Sequence, residues 1–136
     1  MATFSLKVLA SDKVFFDGEC VSLTIPLHDG EQGILAHHED TVMVIEAGEM
    51  SITTEKETIH AFVDSGFFEM IDNQAVIVVI SAERPEDIDE FRANQARERA
   101  NEELRQQQSM REYFHSTASL ARAMERLKLK NKYNKI

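Results

Sequence analysis

The chain has 136 residues, 43% of them hydrophobic and 29% charged, with a formal net charge of −9. That length suits one good core, or a small domain with an appendage. It holds no apolar run long enough to span a bilayer, and residues 1–7 lack the basic and apolar regions of a signal peptide. The single Cys20 excludes a disulfide framework and points to a reducing, cytoplasmic setting. Charge is unevenly spread: residues 1–82 carry 3 Lys+Arg against 14 Asp+Glu, and residues 83–136 carry 12 against 10. The acidic first part argues against a nucleic-acid face there, and the arginine-rich but nearly balanced second part reads as a solvated helical surface rather than a DNA grip.

Residues 3–82 read as short strands. Phe4, Leu6 and Val8 alternate with polar residues, as do Val21, Leu23, Ile25 and Leu27, and then Ile59, Ala61 and Val63. Thr41 to Glu46 is a nearly continuous apolar run, and Ala75 to Ile80 reads as a strand buried on both faces. Turn signals separate these runs: Ser11-Asp12, Asp17-Gly18, His28-Asp29-Gly30, Ala47-Gly48, Ser65-Gly66 and Asp72-Asn73. Their spacing of about 8–12 residues predicts a sandwich or barrel of about ten short strands.

At Pro85 the pattern changes. Proline has no amide hydrogen for a sheet ladder, so the preceding strand ends there. The expected domains are residues 1–84 and 85–136. The sequence predicts an N-cap at Asp87 with Glu90 three residues on. Ile88, Phe91, Ala96, Ala100 and Leu104 would line one helix face. After the polar break Gln106–Ser109, a second helix would turn Tyr113, Leu120, Ala121, Met124 and Leu127 inward. Alanines at 96, 100, 118 and 121 would let the two helices approach closely as an antiparallel hairpin. Such a hairpin is marginal alone, so it must lie on the strand domain, on a partner, or exchange between them.

Two constellations could carry chemistry. His28-Asp29-Gly30-Glu31 with His37-His38-Glu39-Asp40, followed by Glu46, offers imidazole and carboxylate for a transition metal, as in a cupin-like enzyme. Adjacent His37 and His38 would point to opposite faces of a strand, which favours a polar loop instead. The second constellation is Arg92 and Arg99 on one helix with Arg122 and Arg126, i and i+4, on the other. A fold at 106–110 brings the four guanidiniums toward one polyanion, and Glu83 or Asp89 could accept from an adenine amino group or a ribose hydroxyl. The alternative is ordinary surface pairing, such as Glu125 with neighbouring arginines. The sequence contains no phosphate-binding Gly-x-x-x-x-Gly-Lys-Ser/Thr loop, no Gly-x-Gly-x-x-Gly, no paired-cysteine metal site and no Gly-x-Ser-x-Gly elbow.

The whole layout resembles the epsilon subunits of bacterial F-type ATP synthases. Asp29-Gly30-Glu31-Gln32-Gly33-Ile34-Leu35-Ala36-His37-His38 stands in place of that family's Gly-x-x-Gly-x-x-Gly-Ile/Leu-x-Pro-x-His loop, with Ala36 for the usual proline. Ala47-Gly48-Glu49-Met50-Ser51-Ile52 matches its Gly-x-hydrophobic pattern. Ile88-Asp89-Glu90-Phe91-Arg92-Ala93 is similar to the Ile/Leu-Asp-x-x-Arg-Ala motif of members that bind ATP. The resemblance implies a β-sandwich followed by a helical hairpin, acting as a non-catalytic rotor subunit on the cytoplasmic face of the membrane. It implies an ATP-binding set of Glu83, Ile88, Asp89, Arg92, Ala93, Arg99, Arg122 and Arg126, with ATP as a regulatory ligand and magnesium not required by the motif. It implies contact with the gamma subunit and the c-subunit ring through the turn holding Glu31 and His38. The hairpin would extend toward the catalytic beta and alpha subunits to block hydrolysis, its basic end running from Arg122 through Lys135. The rivals are the cupin-like metal enzyme and a β-sandwich adaptor for some other helical partner.

Overall fold

The computed structural model describes residues 1–105 and 110–134, and the backbone alone for residues 110–115. The chain divides into two compact units, residues 1–84 and a second beginning at Pro85.

The first unit packs two five-stranded sheets face to face. One has the order β2 (Val14–Cys20), β1 (Phe4–Leu9), β9 (Gln74–Val79), β8 (Gly66–Ile71), β5 (Thr41–Ile45). The other runs β10 (Ala82–Glu83), β7 (Thr58–Val63), β6 (Gly48–Thr53), β3 (Ser22–Leu27), β4 (Gly30–Leu35). Only β1 with β9 is parallel; the other pairs are antiparallel. Alternation decides which side chains enter the core. Phe4, Leu6, Val8, Phe68, Met70 and Ile77 from the first sheet are buried with Leu23, Ile25, Ile34, Met50, Ile52 and Ala61 from the second. Each such large side chain contributes about 1.5–3 kcal/mol through removal from water.

Turn chemistry fixes the registers. Asp72 and Asn73 both take positive φ, 49° and 62°, and close the β8–β9 hairpin as a two-residue turn. Asn73 also ties neighbours together: its Oδ1 accepts from His37 N at 2.6 Å and its Nδ2 donates to Thr3 O at 3.0 Å. Gly66 serves a close approach instead, since a Cβ there would lie 1.9 Å from Val78 O. The turn between β6 and β7 carries no glycine, proline or asparagine. Thr54 Oγ1 accepts from the backbone N of Lys56 and of Glu57, at 3.2 and 3.1 Å, and so closes β6 onto β7.

The expectation that Ala75 to Ile80 is buried on both faces is corrected. Val78 is 37% exposed and Ile80 55%. In a two-layer sandwich only the inward face of a central strand is covered; burial of both faces belongs to sheets flanked by helices on either side. Likewise the apolar run at Thr41–Ile45 is an edge strand, with Val42 and Val44 facing outward.

The second unit is a 3-10 turn (Pro85–Asp87) followed by α1 (Glu90–Arg105) and α2 (Met110–Tyr133). Ser116 near the start of α2 donates to Glu103 near the end of α1 at 2.9 Å. Lys130 near the end of α2 donates its Nζ to Pro85 O at 3.0 Å. The helices are therefore antiparallel. Buried Ala93 and Ala100, with half-buried Ala96 and Leu104, form the inward stripe of α1. Ser116, Leu120, Ala123 and Leu127 form that of α2. The predicted stripes hold at Ile88, Ala96, Ala100, Leu104, Leu120 and Leu127 and fail at four positions: Phe91 is 70% exposed, Met124 is 55% exposed, and Ala118 and Ala121 face outward. Side chains advance about 100° per residue, so an error of one or two positions moves a residue from the seam to solvent. The small residues that permit close approach are Ala93, Ala100 and Ala123. The polar break at Gln106–Ser109 and the inward placement of Tyr113 fall outside the described residues.

Candidate functional site

The start of α1 sets the site. Pro85 fixes a φ suited to a helical turn, and Ile88 N donates back to Pro85 O at 3.2 Å. Ile88 is 3% exposed and anchors the junction. The next residue, Asp89, is the cap: its Oδ1 accepts from Arg92 N at 3.1 Å and its carbonyl accepts from Ala93 N at 2.9 Å. The predicted cap at Asp87 is thus corrected, because Asp87 is consumed by the 3-10 turn that buries Pro85 and Ile88.

Placement of the arginines follows from the stripes. Each candidate arginine immediately precedes an inward residue: Arg92 before Ala93, Arg99 before Ala100, Arg122 before Ala123, Arg126 before Leu127. One residue is a rotation of about 100°, so each arginine flanks its stripe on the same angular side. Two antiparallel helices are related by an axis perpendicular to both, and this operation carries like flanks to one side of the hairpin. By the Glu103–Ser116 register, Arg92 lies within about one residue of the height of Arg126, and Arg99 within about two residues of that of Arg122. Arg92 and Arg99 are about 10 Å apart along α1, seven residues at 1.5 Å each, and Arg122 and Arg126 about 6 Å apart along α2. Arg92 and Arg99 are exposed, while Arg122 and Arg126 are half-buried. The four arginines thus occupy positions along one flank of the hairpin.

The other predicted positions differ in kind. Ile88 and Ala93 are buried and shape the wall rather than project from it. Asp89 spends one carboxylate oxygen on the helix cap. Glu83 belongs to the first unit, in β10, where it pairs opposite Phe62 of β7. At the base of the hairpin, Pro85, Glu86, Lys130, Tyr133 and Asn134 line a shallow open cleft of about 170 Å³. Arg105 pairs with Glu102 at 3.2 Å, both well exposed, an i, i+3 contact of little energetic weight.

Glu31 and His38 do not share a turn. Glu31 lies in β4 opposite Pro26, beside the His28-Asp29 hairpin, whereas His38 follows the other end of that strand. The cupin-like alternative finds no support. Among the described residues no three His, Cys, Asp or Glu side chains stand close enough to hold a metal. His28, His37 and Glu46 are exposed on separate connections. Sequence reasoning missed one polar cluster, on the outward face of the second sheet. There His60 Nδ1 lies 3.1 Å from Glu49 Oε2 and 3.2 Å from Ser51 Oγ. Only the β6–β7 register brings these three together, so no local motif announces them. Cys20 is fully buried, its Sγ donating to Ser22 O at 3.0 Å, and desolvation pushes its thiol up to about 11 against the lowering effect of its backbone hydrogen bonds.

The first sheet carries a second surface feature. Val44, Phe67, Val78, Leu9 and Val14 pair in succession across all five strands, forming one apolar row on its outward face. Val44 is 69% exposed, Phe67 49% and Val14 59%, and exposed Val42, Ile71 and Ile80 widen the row. An exposed apolar row of this kind is the type of surface that packs against another protein.

The chain thus joins a β-sandwich with an exposed apolar row to an antiparallel helical hairpin that carries the four arginines. Both parts match known families, in this order along the chain. Residues 3–85 match the ATP synthase delta/epsilon chain β-sandwich domain, and residues 86–131 match the ATP synthase delta/epsilon chain long α-helix domain. The chain belongs to the ATP synthase delta/epsilon chain family. It is 42% identical over 132 residues to the ATP synthase epsilon chain of Ruminiclostridium cellulolyticum, covering 97% of this chain and 98% of that one. In fold it is similar to a chain of the Euglena gracilis mitochondrial ATP synthase OSCP/F1/c-ring structure. The TM-score there is 0.80 at 23% identity, covering 92% of this chain and 79% of the other. It is also similar to a chain of the Tetrahymena thermophila mitochondrial ATP synthase central stalk/c-ring structure. That match has TM-score 0.68 at 15% identity and covers 93% and 95% of the two chains.

Proposed function

We propose that this chain is the epsilon chain of an F-type ATP synthase. It is a non-catalytic subunit of the central stalk that couples ion transport to ATP synthesis and restrains ATP hydrolysis through its hairpin. The observation that carries this reading is the match of both units, sandwich and hairpin, to one family in one order. In that role the apolar row centred on Phe67 and Val78 is the face that packs on the gamma subunit. Glu31 and His38 belong to the part of the sandwich that approaches gamma and the c-subunit ring. The chain is held at the cytoplasmic face of the membrane by these partners. Among the described residues no helix is long and apolar enough to cross a membrane.

The finer part of the proposal is that the hairpin senses ATP. The arginine positions support it: four arginines along one flank of the hairpin suit a triphosphate better than scattered surface charge would. Magnesium is not needed by a set built on arginine. Only the folded hairpin presents both pairs together. ATP therefore favours that state over one extended toward the catalytic beta and alpha subunits, to the extent of its differential affinity.

Two measurements test this. Deleting residues 86–136 leaves the complex assembled and raises its ATPase activity; unchanged hydrolysis at both low and high ATP removes the inhibitory role. Calorimetry on the isolated chain gives saturable heats with ATP, and Arg92→Ala weakens binding at least about tenfold, since a charge-assisted hydrogen bond contributes roughly 1.5–3 kcal/mol. No binding at millimolar ATP removes the sensing role and leaves the coupling role standing.

A further inference from the structure

We infer that Asp89 is a positioning residue for the nucleotide, acting through the helix cap, and not a ligand of the nucleotide. This rests on the ATP reading above and assigns one of its residues a different task. Asp89 Oδ1 accepts from Arg92 N at 3.1 Å, and the Asp89 carbonyl accepts from Ala93 N at 2.9 Å. Those two bonds start α1 at a fixed residue, one after buried Ile88. Arg92 is the N3 residue of the same cap, so the carboxylate that closes the first turn also sets the direction in which the Arg92 guanidinium leaves the helix. Buried Ala93 locks that direction, because rotating α1 to move Arg92 would pull Ala93 out of the seam. A carboxylate is also poorly placed as a direct partner of a polyphosphate, since it repels the anion that the arginines attract. As a cap it is favourable twice over, by satisfying an orphan amide and by placing negative charge at the positive end of the helix.

The two roles call for opposite side chains. A cap needs a short acceptor that bends back to its own helix; a ligand needs a carboxylate that reaches outward. Serine keeps the first property and loses the second, whereas glutamate does the reverse. ATP affinity of the isolated full chain is measured by calorimetry for wild type, Asp89→Ser, Asp89→Glu and Asp89→Ala. In parallel, amide hydrogen exchange is read at Arg92. The expected result is that Asp89→Ser binds within about threefold of wild type, while Asp89→Ala and Asp89→Glu bind about fivefold or more weakly. Arg92 amide protection is kept in the serine variant and lost in the other two.

Weak binding by Asp89→Ser with the Arg92 amide still protected overturns the inference, because the cap would then be intact while the nucleotide had lost a partner. Binding by Asp89→Glu equal to wild type overturns it as well. These outcomes leave the ATP reading in place. Absence of ATP binding by the wild-type chain removes that reading, and this inference falls with it.

Discussion

Asp89, Cys20 and Gly66 show how single residues acquire their meaning. An aspartate beside an arginine is read as a ligand, yet its first duty is to the amide of Arg92. Cys20 lies in the sandwich core with its thiol raised to about 11 from 9.0, mainly by desolvation. A thiolate would have to form without water, so at pH 8 the folded chain resists an alkylating reagent that modifies it fully in guanidinium. The linkage has a definite sign. The folded thiol holds its proton more tightly than the unfolded one, so its contribution is complete below pH 9 and is withdrawn as pH rises toward 11. The melting temperature of wild type therefore falls more steeply over that range than that of Cys20→Ala; parallel curves would contradict the assignment. Gly66 is fixed by the carbonyl of Val78, which leaves no room for a Cβ.

Among the elements, the hairpin has a narrow seam in which Ala93, Ala100 and Ala123 lie with Leu104, Leu120 and Leu127. Its phase makes a discriminating prediction. Ala123 is 1% exposed and Ala121 faces solvent. Ala123→Leu overfills the seam and destabilises the hairpin by about 1–3 kcal/mol, whereas Ala121→Leu changes it by less than about 0.5 kcal/mol. Helical signal followed through thermal unfolding reads both; equal effects would place the seam where the spacing alone had put it. Lys130, bonded to Pro85 O across 45 positions, closes the base of the same hairpin. That bond exists only while the two helices lie together, so Lys130→Met weakens the folded hairpin by about 1–2 kcal/mol.

For the whole molecule, the question is what the sandwich offers its surroundings. The Val44–Phe67–Val78–Leu9–Val14 row covers a sheet that the hairpin prediction never required. Phe67→Asp changes an exposed position, so the melting temperature of the isolated sandwich shifts little. Binding to the gamma subunit is expected to fall by at least about tenfold, measured by co-purification and by titration of the isolated partners. Loss of stability without loss of binding would move the interface elsewhere.

The amino-acid sequence alone determined the two-part order, the change at Pro85, most inward strand positions and the Asp72-Asn73 turn. These depend on neighbours along the chain: alternation, glycine and asparagine conformations, and the missing amide of proline. It also carried the family motif around Arg92. The tertiary structure alone decided the cap at Asp89, the places of Ala93 and Ala123 in the seam, and the separation of Glu31 from His38. It alone exposed the outward face of β9 and joined Glu49, Ser51 and His60. The reason is geometric. A helix rotates by about 100° per residue, so its facing side is settled only by what it packs on, and partners across a sheet exist only once a register has been chosen.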